Sequence, residues 1–156
     1  MKIALGADHA GFELKEKIKQ YLLRQGVQVD DRGTHSRESV DYPDYARLVG
    51  EAVVAKEADW GILVCGTGIG MAMAANKVPG VRAASVHNEI EAQLSREHNN
   101  ANVLAIGGRV LDPAAATAIV DRFLSTAFAG GRHQRRVDKI SEIERTELRV
   151  PSTELG

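Results

Sequence analysis

The sequence has few of the residues that would cross-link a chain or give it a strongly charged surface. A single cysteine in 156 residues excludes an intrachain disulfide, which is typical of proteins from a reducing compartment. Aromatic residues make up only 4% of the chain, so we predict a core of Val, Ile, Leu and Ala. The formal net charge of −1 provides no broad electrostatic surface for nucleic acid or for an anionic membrane.

Targeting and membrane signals are also missing from the sequence. The first residues run directly into a strand-like segment and show neither the apolar region nor the cleavage site of a secretory signal. No apolar run approaches the roughly 20 residues that span a bilayer. The single cysteine and the five scattered histidines show no metal-type spacing. We therefore expect a cytoplasmic protein with no metal, no cofactor, no membrane contact and no nucleic acid partner.

The length fits one domain with one core. We assign residues 1–149 to this domain and residues 150–156 to a flexible tail. Short β-rich runs alternate with amphipathic stretches, which is typical of a parallel sheet covered by helices. The predicted strands are 2–5, 28–30, 61–65, 82–85 and 103–106.

The predicted helices lie between these strands. The first has an apolar face that includes Leu14 and Ile18, a polar face that includes Lys15 and Lys19, and Gly26 as its C-cap. Others span 45–56, 89–97 and 114–128, and residues 71–77 are also helix-forming. The simplest architecture is a three-layer α/β/α sandwich around a five-stranded parallel sheet, with ligands bound beyond the carboxyl ends of the strands. Polar candidates that follow predicted strands are Asp8, His9, Cys65, His87 and Arg109.

The single cysteine opens a glycine-rich turn at the end of the third predicted strand, Cys65-Gly66-Thr67-Gly68-Ile69-Gly70. Backbone N–H groups in such a turn can hold an anion or an oxyanion. The turn lacks the later acidic residue of a dinucleotide site and the Gly-Lys-Ser/Thr ending of a P-loop. Two simpler interpretations stay open, namely that Cys65 is a small core residue and that the glycines form only a tight turn.

Other motifs have similarly open interpretations. Asp8-His9 is either a ligand-binding pair at a strand end or a helix cap, and His98 is either an acid–base group or a surface histidine. Arg132 and Arg136 have the i, i+4 spacing that lets two guanidinium groups grip one phosphate, but they could equally form a solvated face.

The last predicted helix, 132–149, carries a thin apolar stripe of Val137, Ile140, Ile143 and Leu148. This stripe is too small to form a core of its own. We predict that the helix packs on a second subunit, with packing on its own subunit as the alternative.

Several motifs in order resemble the ribose-5-phosphate isomerase B / galactose-6-phosphate isomerase (RpiB/LacAB) family. They extend from the first predicted strand to the last predicted helix and include Gly6-Ala7-Asp8-His9, Asp41-Tyr42-Pro43, Cys65-Gly66-Thr67-Gly68-Ile69-Gly70, Ala75-Asn76-Lys77, Glu97-His98-Asn99 and Gly130-Gly131-Arg132-His133. The resemblance implies a Rossmann-like sandwich and a homodimer, or a tetramer, whose active sites use both subunits. It also implies aldose–ketose isomerisation of a sugar phosphate, with D-ribose 5-phosphate and D-ribulose 5-phosphate as the first choice.

The resemblance also implies site residues. Cys65 would be the base, because Met71 stands where some family members have a glutamate, and His98 and Thr67 would complete the catalytic group. The implied substrate-binding residues are Asp8, His9, Tyr42, Gly66, Gly68, Gly70, Asn99, Arg109, Arg132 and Arg136, with the last two contributed by the partner subunit.

Alternative functions stay open at this point. The substrate could be allose 6-phosphate, galactose 6-phosphate or erythrulose 4-phosphate, because the sequence does not show the depth of the pocket. A non-catalytic sugar-phosphate-binding module or a redox-sensing thiol would also account for some of the motifs.

Overall fold

The computed structural model describes residues 1–145, in which five strands alternate with helices. The strands are β1 (Lys2–Ala7), β2 (Gln28–Asp31), β3 (Trp60–Cys65), β4 (Ala83–Ser85) and β5 (Val103–Gly107). The helices are α1 (Phe12–Arg24), α2 (Tyr42–Val54), α3 (Ile69–Ala75), α4 (Glu89–Glu97), α5 (Pro113–Ser125) and α6 (Arg132–Arg145). The predicted tail 150–156 and the end of the predicted helix 132–149, with Leu148, lie outside the described residues.

All five strands form one parallel sheet in the order β2-β1-β3-β5-β4. The chain leaves β1 for β2 on one side and later places β3 on the other side. A crevice opens where connections diverge in this way, at the carboxyl ends of the two strands. The predicted parallel α/β sheet is therefore confirmed, and its switch point lies between β1 and β3.

Two apolar clusters cover the two faces of the sheet. Ile3 and Leu5 face one cluster with residues of α1 and α5, while Ala4 between them faces the other with residues of α2 and α3. This alternation follows the two-residue period of a strand. Both clusters consist mainly of aliphatic residues, as predicted. Cys65 belongs to the cluster beneath α2 and α3.

Several helix boundaries differ from the prediction by a few residues, and the largest differences are in α2 and α5. Helix α2 begins at Tyr42 instead of residue 45, because Asp41 is extended and Pro43 occupies the first helical turn, where proline fits without the loss of a hydrogen bond. Helix α5 ends at Ser125 instead of residue 128, because Thr126 is already extended. The earlier start of α2 matters for the site, since it places Tyr42 on the first turn of a helix.

Lys15 is fully buried, although the sequence pattern places it on the polar face of the first helix. Its ammonium group donates to the Asp31 carboxylate at 2.7 and 2.8 Å and to the Thr34 carbonyl at 2.8 Å. Burial raises the pKa of Asp31, but hydrogen bonds from Lys15, from the Gly33 N–H and from Lys19 together lower it below its usual value. The ion pair therefore ties α1 to the chain that leaves β2.

The edge strand β4 is covered at its first residue by a side chain. The N–H of Ala83 donates to Oδ1 of Asn76 at 2.7 Å, and Nδ2 of Asn76 donates to the Ala83 carbonyl at 3.0 Å. The Asn76 amide therefore occupies both backbone groups that Ala83 presents to the outside of the sheet.

Helix α6 contacts its own subunit along one side. His133 and Val137 are buried, and the Gly80 N–H donates to Oε1 of Glu144 at 3.0 Å. Ile140 and Ile143 are 48% and 62% exposed. The alternative placement, on the same subunit, accounts for the buried side of the helix, and packing of the exposed side on a second subunit stays a prediction. None of the helices within residues 1–145 has the length and apolar character needed to cross a membrane.

Candidate active site

Three neighbouring strands bring part of the predicted site together at the carboxyl edge of the sheet. Cys65 at the end of β3 pairs with Gly107 at the end of β5, and the Asp8 N–H, just after β1, donates to the Val64 carbonyl at 3.2 Å. The chain segments that carry Asp8, Cys65 and Arg109 therefore start side by side. This is the edge at which an open α/β sheet binds ligands.

The turn after β3 bends back over the cysteine sulfur. The Gly68 N–H donates to Sγ of Cys65 at 3.1 Å. Gly68 has a φ of +84°, and a Cβ there would lie 3.0 Å from the carbonyl oxygen of Ala105, so both the conformation and the space require glycine. The sulfur therefore accepts a hydrogen bond from the backbone of the turn that follows it. Cys65 is thus buried like a core residue but carries a polar contact that a core residue does not need.

The chain after β5 holds this turn in place. The Gly108 N–H donates to the Cys65 carbonyl at 2.7 Å, and the Arg109 N–H donates to the Gly66 carbonyl at 3.0 Å. The side chain of Arg109 lies over Gly66, since a Cβ there would be 3.4 Å from Nη1 of Arg109. The turn therefore has a fixed position and an adjacent positive charge.

Two more predicted residues border the turn. Thr67 is exposed, and its hydroxyl accepts the Ile69 N–H at 3.2 Å. The ring of Tyr42 lies against Gly70, where a Cβ would be 2.7 Å from Cζ of Tyr42. Thr67 thus shapes the turn at its open side, while Tyr42 forms a wall beside it.

Asp8 and His9 serve the backbone as well as the site. The Gly11 N–H donates to Oδ1 of Asp8 at 3.0 Å, which is the capping role that the sequence left as an alternative. The Val40 N–H donates to Nδ1 of His9 at 3.2 Å, so a neutral His9 carries its proton on Nε2. Val40 is not identifiable from the sequence, because it contributes only a backbone N–H, which any residue other than proline carries.

The remaining predicted residues lie toward the opposite edge of the sheet. Helix α4 starts after β4 and runs back along the sheet, so that His98 at its C-cap and the adjacent Asn99 precede the first residue of β5. The length of β5, from Val103 to Gly107, is roughly 13 Å at about 3.3 Å per residue. Within one subunit, the length of β5 therefore separates His98 and Asn99 from Cys65.

Helix α6 adds to this second group. The rings of His98 and His133 stack with centroids 4.2 Å apart and planes 15° from parallel. Arg132 and Arg136 lie in α6 at the predicted spacing, and both are exposed. Burial and the positive charges of His98, Arg132 and Arg136 lower the pKa of His133, while Glu97 opposes this shift.

Metal ligands are not clustered in this part of the molecule. Across residues 1–145, no group of three or more His, Cys, Asp or Glu side chains is arranged to hold a metal ion.

Comparison with known proteins identifies relatives that match most of the chain. A family model described as Ribose/Galactose Isomerase matches residues 3–140. Ribose-5-phosphate isomerase B of Escherichia coli (strain K12) is 52% identical over 143 residues, which cover 92% of this chain and 96% of that protein. The structure of Clostridium thermocellum ribose-5-phosphate isomerase B has a TM-score of 0.92 at 54% identity and covers 93% of this chain and 98% of that one. The Mycoplasma genitalium ribose-5-phosphate isomerase B, solved with bound ribulose-5-phosphate, has a TM-score of 0.88 at 46% identity and covers 92% and 96%.

Proposed function

Because the chain belongs to the Ribose/Galactose Isomerase family, we propose that it interconverts D-ribose 5-phosphate and D-ribulose 5-phosphate through an enediolate. The observation that carries this proposal is the hydrogen bond of 3.1 Å from the Gly68 N–H to the Cys65 sulfur at the switch point of the sheet. Relatives at 52% and 54% identity are named ribose-5-phosphate isomerase B, which supports this substrate.

Cys65 acts as the base on the open-chain sugar. Its thiolate takes the proton from C2, the electron pair of that C–H bond forms the C1–C2 double bond, and the aldehyde oxygen becomes negatively charged. The proton then returns to C1, and the proton of the C2 hydroxyl passes to the negatively charged oxygen on C1, which leaves a C2 carbonyl and completes the ketose. The oxyanion is stabilised by N–H groups of the 66–70 turn that donate neither to Sγ of Cys65 nor to the Thr67 hydroxyl. One such donor contributes about 2.7–4 kcal/mol to transition-state stabilisation.

The substrate phosphate binds beside this turn. His9 presents the proton on Nε2, because its Nδ1 accepts the Val40 N–H, and Arg109 lies over Gly66. A guanidinium and an imidazole N–H are suitable donors for phosphate oxygens. Tyr42 and Asp8 line the sugar between the phosphate and the sulfur.

The second group of residues reaches the substrate from another copy of the chain. In this arrangement His98 of the partner subunit opens the furanose ring with the help of Thr67, and Asn99 of the partner subunit holds a sugar oxygen. Arg132 and Arg136 of the partner subunit complete the phosphate site. The distance between the two groups within one subunit supports a homodimer with shared active sites, and a tetramer would consist of two such dimers. The cytoplasmic location expected from the composition is part of the same proposal.

The test is solvent exchange at C2 of ribose 5-phosphate, followed by NMR in D₂O. We expect Cys65→Ala to lower the exchange rate by roughly 10²–10⁴-fold while ribose 5-phosphate still binds, since the base is lost but the phosphate site is not. Met73→Ala is the control variant, because it changes an exposed side chain of α3, the helix that follows the turn, and leaves Cys65 in place. Unchanged exchange in Cys65→Ala would refute the assignment of the base.

A second measurement ranks the substrates. Coupled assays with ribose 5-phosphate, allose 6-phosphate, galactose 6-phosphate and erythrulose 4-phosphate compare kcat/KM directly. Strong activity on another sugar phosphate without activity on ribose 5-phosphate would reject the proposed substrate but not the proposed chemistry. Binding without turnover of any of them would indicate a non-catalytic sugar-phosphate module.

A further inference from the structure

His133 is a buried histidine to which the proposed reaction gives no part. It is 8% exposed, and its ring lies flat against that of His98, with centroids 4.2 Å apart and an angle of 15° between the planes. Both rings belong to the same subunit, so they would enter the partner's active site together. In this stacked pair, the His133 ring covers one face of the His98 ring.

The backbone fixes this pair from both sides. The Ala129 N–H donates to the Glu97 carbonyl at 3.1 Å, which joins the segment before α6 to the end of α4. The His133 N–H donates to the Gly130 carbonyl at 3.0 Å, and Gly130 has a φ of +65°. A turn of this kind leaves the first residues of α6 with a defined direction. The spacing of the two rings is therefore set by main-chain contacts as well as by their stacking.

Burial and the groups around His133 lower its pKa. Arg132 and Arg136 on its own helix and His98 on the facing segment disfavour a second positive charge, and burial acts in the same direction. Glu97 is the one opposing group among the neighbours that shift it. The lowered pKa favours the uncharged imidazole of His133, which adds no charge of its own to the stack.

We propose that His133 is a positioning residue for His98, which holds the imidazole plane of His98 at the angle required to open the furanose ring. The inference rests on the proposed function, because it concerns the ring-opening step assigned there to His98. A general acid or base must come within about 2.6–3.2 Å of the atom with which it exchanges a proton, so the side-chain torsions of His98 decide whether it can act. Stacking restricts those torsions and leaves the ring edge, with its nitrogens, open to the substrate.

The test separates ring opening from proton transfer. Ribulose 5-phosphate has its phosphate on the C5 oxygen, so it cannot form a furanose ring and stays open. Exchange of its C1 proton with D₂O therefore needs the base but no ring step, whereas net conversion of ribose 5-phosphate needs both. Each variant is measured in both assays, with KM and kcat determined separately.

We expect His133→Ala to lower kcat for net conversion of ribose 5-phosphate by roughly 10–100-fold, because a misplaced acid–base group loses this much. We expect its C1 exchange to stay within about threefold of the unaltered protein, because Cys65 and its turn are untouched. His133→Phe keeps a flat ring on His98 and should restore most of the net conversion. His35→Ala, at an exposed histidine on a loop, should change neither rate.

Three outcomes would overturn the inference. Equal losses in both assays would give His133 a general structural role. A higher KM in both assays, with kcat retained and with no rescue by His133→Phe, would make it a phosphate ligand. Failure of His133→Phe to restore conversion would exclude stacking as the cause. His98→Ala keeps the two proposals apart: if it also lowers both rates equally, the ring-opening role of His98 fails, and if only His133→Ala does so, the present inference fails alone.

Discussion

Complementation between two inactive variants tests whether the active site is divided between subunits. The variants are Cys65→Ala and His98→Ala, each inactive by itself under the proposed mechanism. Co-expression with two different affinity tags allows the mixed dimer to be purified. In that dimer one site combines Cys65 of one subunit with His98 of the other, while the second site lacks both groups. We therefore expect about half of the activity of an unaltered dimer.

The expected value follows from the geometry of the sheet. Cys65 pairs with Gly107 at the carboxyl end of β5, whereas His98 precedes the opposite end of that strand. The strand alone accounts for roughly 13 Å, and direct proton transfer requires about 3 Å between heavy atoms. We therefore expect the Cys65 and the His98 that act on one sugar phosphate to belong to different subunits.

A mirror experiment makes the test decisive. A dimer of one unaltered subunit and one Cys65→Ala/His98→Ala subunit has two incomplete sites if the sites are shared, so it should be inactive. If each subunit has a complete site of its own, this dimer keeps half of its activity and the Cys65→Ala with His98→Ala dimer has none. That pair of results, measured by the coupled assay on ribose 5-phosphate, would refute the shared site.

Two further predictions concern the support of the site. Lys15→Met should lower the free energy of unfolding, measured by urea denaturation, by about 3 kcal/mol, because it leaves Asp31 without its buried partner. Lys17→Met, at an exposed position, is the control, and equal stability of the two variants would contradict this reasoning. The pKa of Asp31 is below its usual value in the folded protein, so the stabilisation by its carboxylate is complete above about pH 4 and is lost as pH falls through that lowered pKa. Lys15→Met should therefore weaken the dependence of the free energy of unfolding on pH in the acid range. Gly70→Ala should lower kcat/KM by roughly tenfold, because the new Cβ would displace the Tyr42 ring, while the melting temperature stays the same, because that ring is exposed enough to move. A lower melting temperature with unchanged kcat/KM would exclude this explanation.

The residues at the carboxyl edge were predictable from the sequence for a physical reason. Parallel strands end at one edge, so a polar residue after a strand-like run must lie there whatever the strand order is. Asp8, Cys65 and Arg109 were found in this way, and the glycines after Cys65 marked the turn. The location of these three residues at this edge follows from the positions of the strands, which the structure confirms.

Other features depend on packing that local patterns do not encode. The helical periodicity places Lys15 on the polar face of α1, but its burial depends on Asp31 at the end of β2. The position of His98 relative to Cys65 depends on the direction of α4, and neither residue type nor spacing contains it. The stack of His98 on His133 joins two segments 35 positions apart, and only the short motif around Arg132 pointed to the second of them.

The amide of Asn76 on the edge strand has a consequence for how molecules of this protein can associate. An exposed strand edge invites a strand from another molecule, which would extend the sheet and lead toward aggregation. Because Asn76 already binds the N–H and the carbonyl of Ala83, an incoming strand would have to displace two hydrogen bonds before it could form its own at that residue. Extension of the sheet from one molecule into the next is therefore opposed at the start of β4. Molecules are then left to associate through side-chain contacts, which can form a closed oligomer of fixed size.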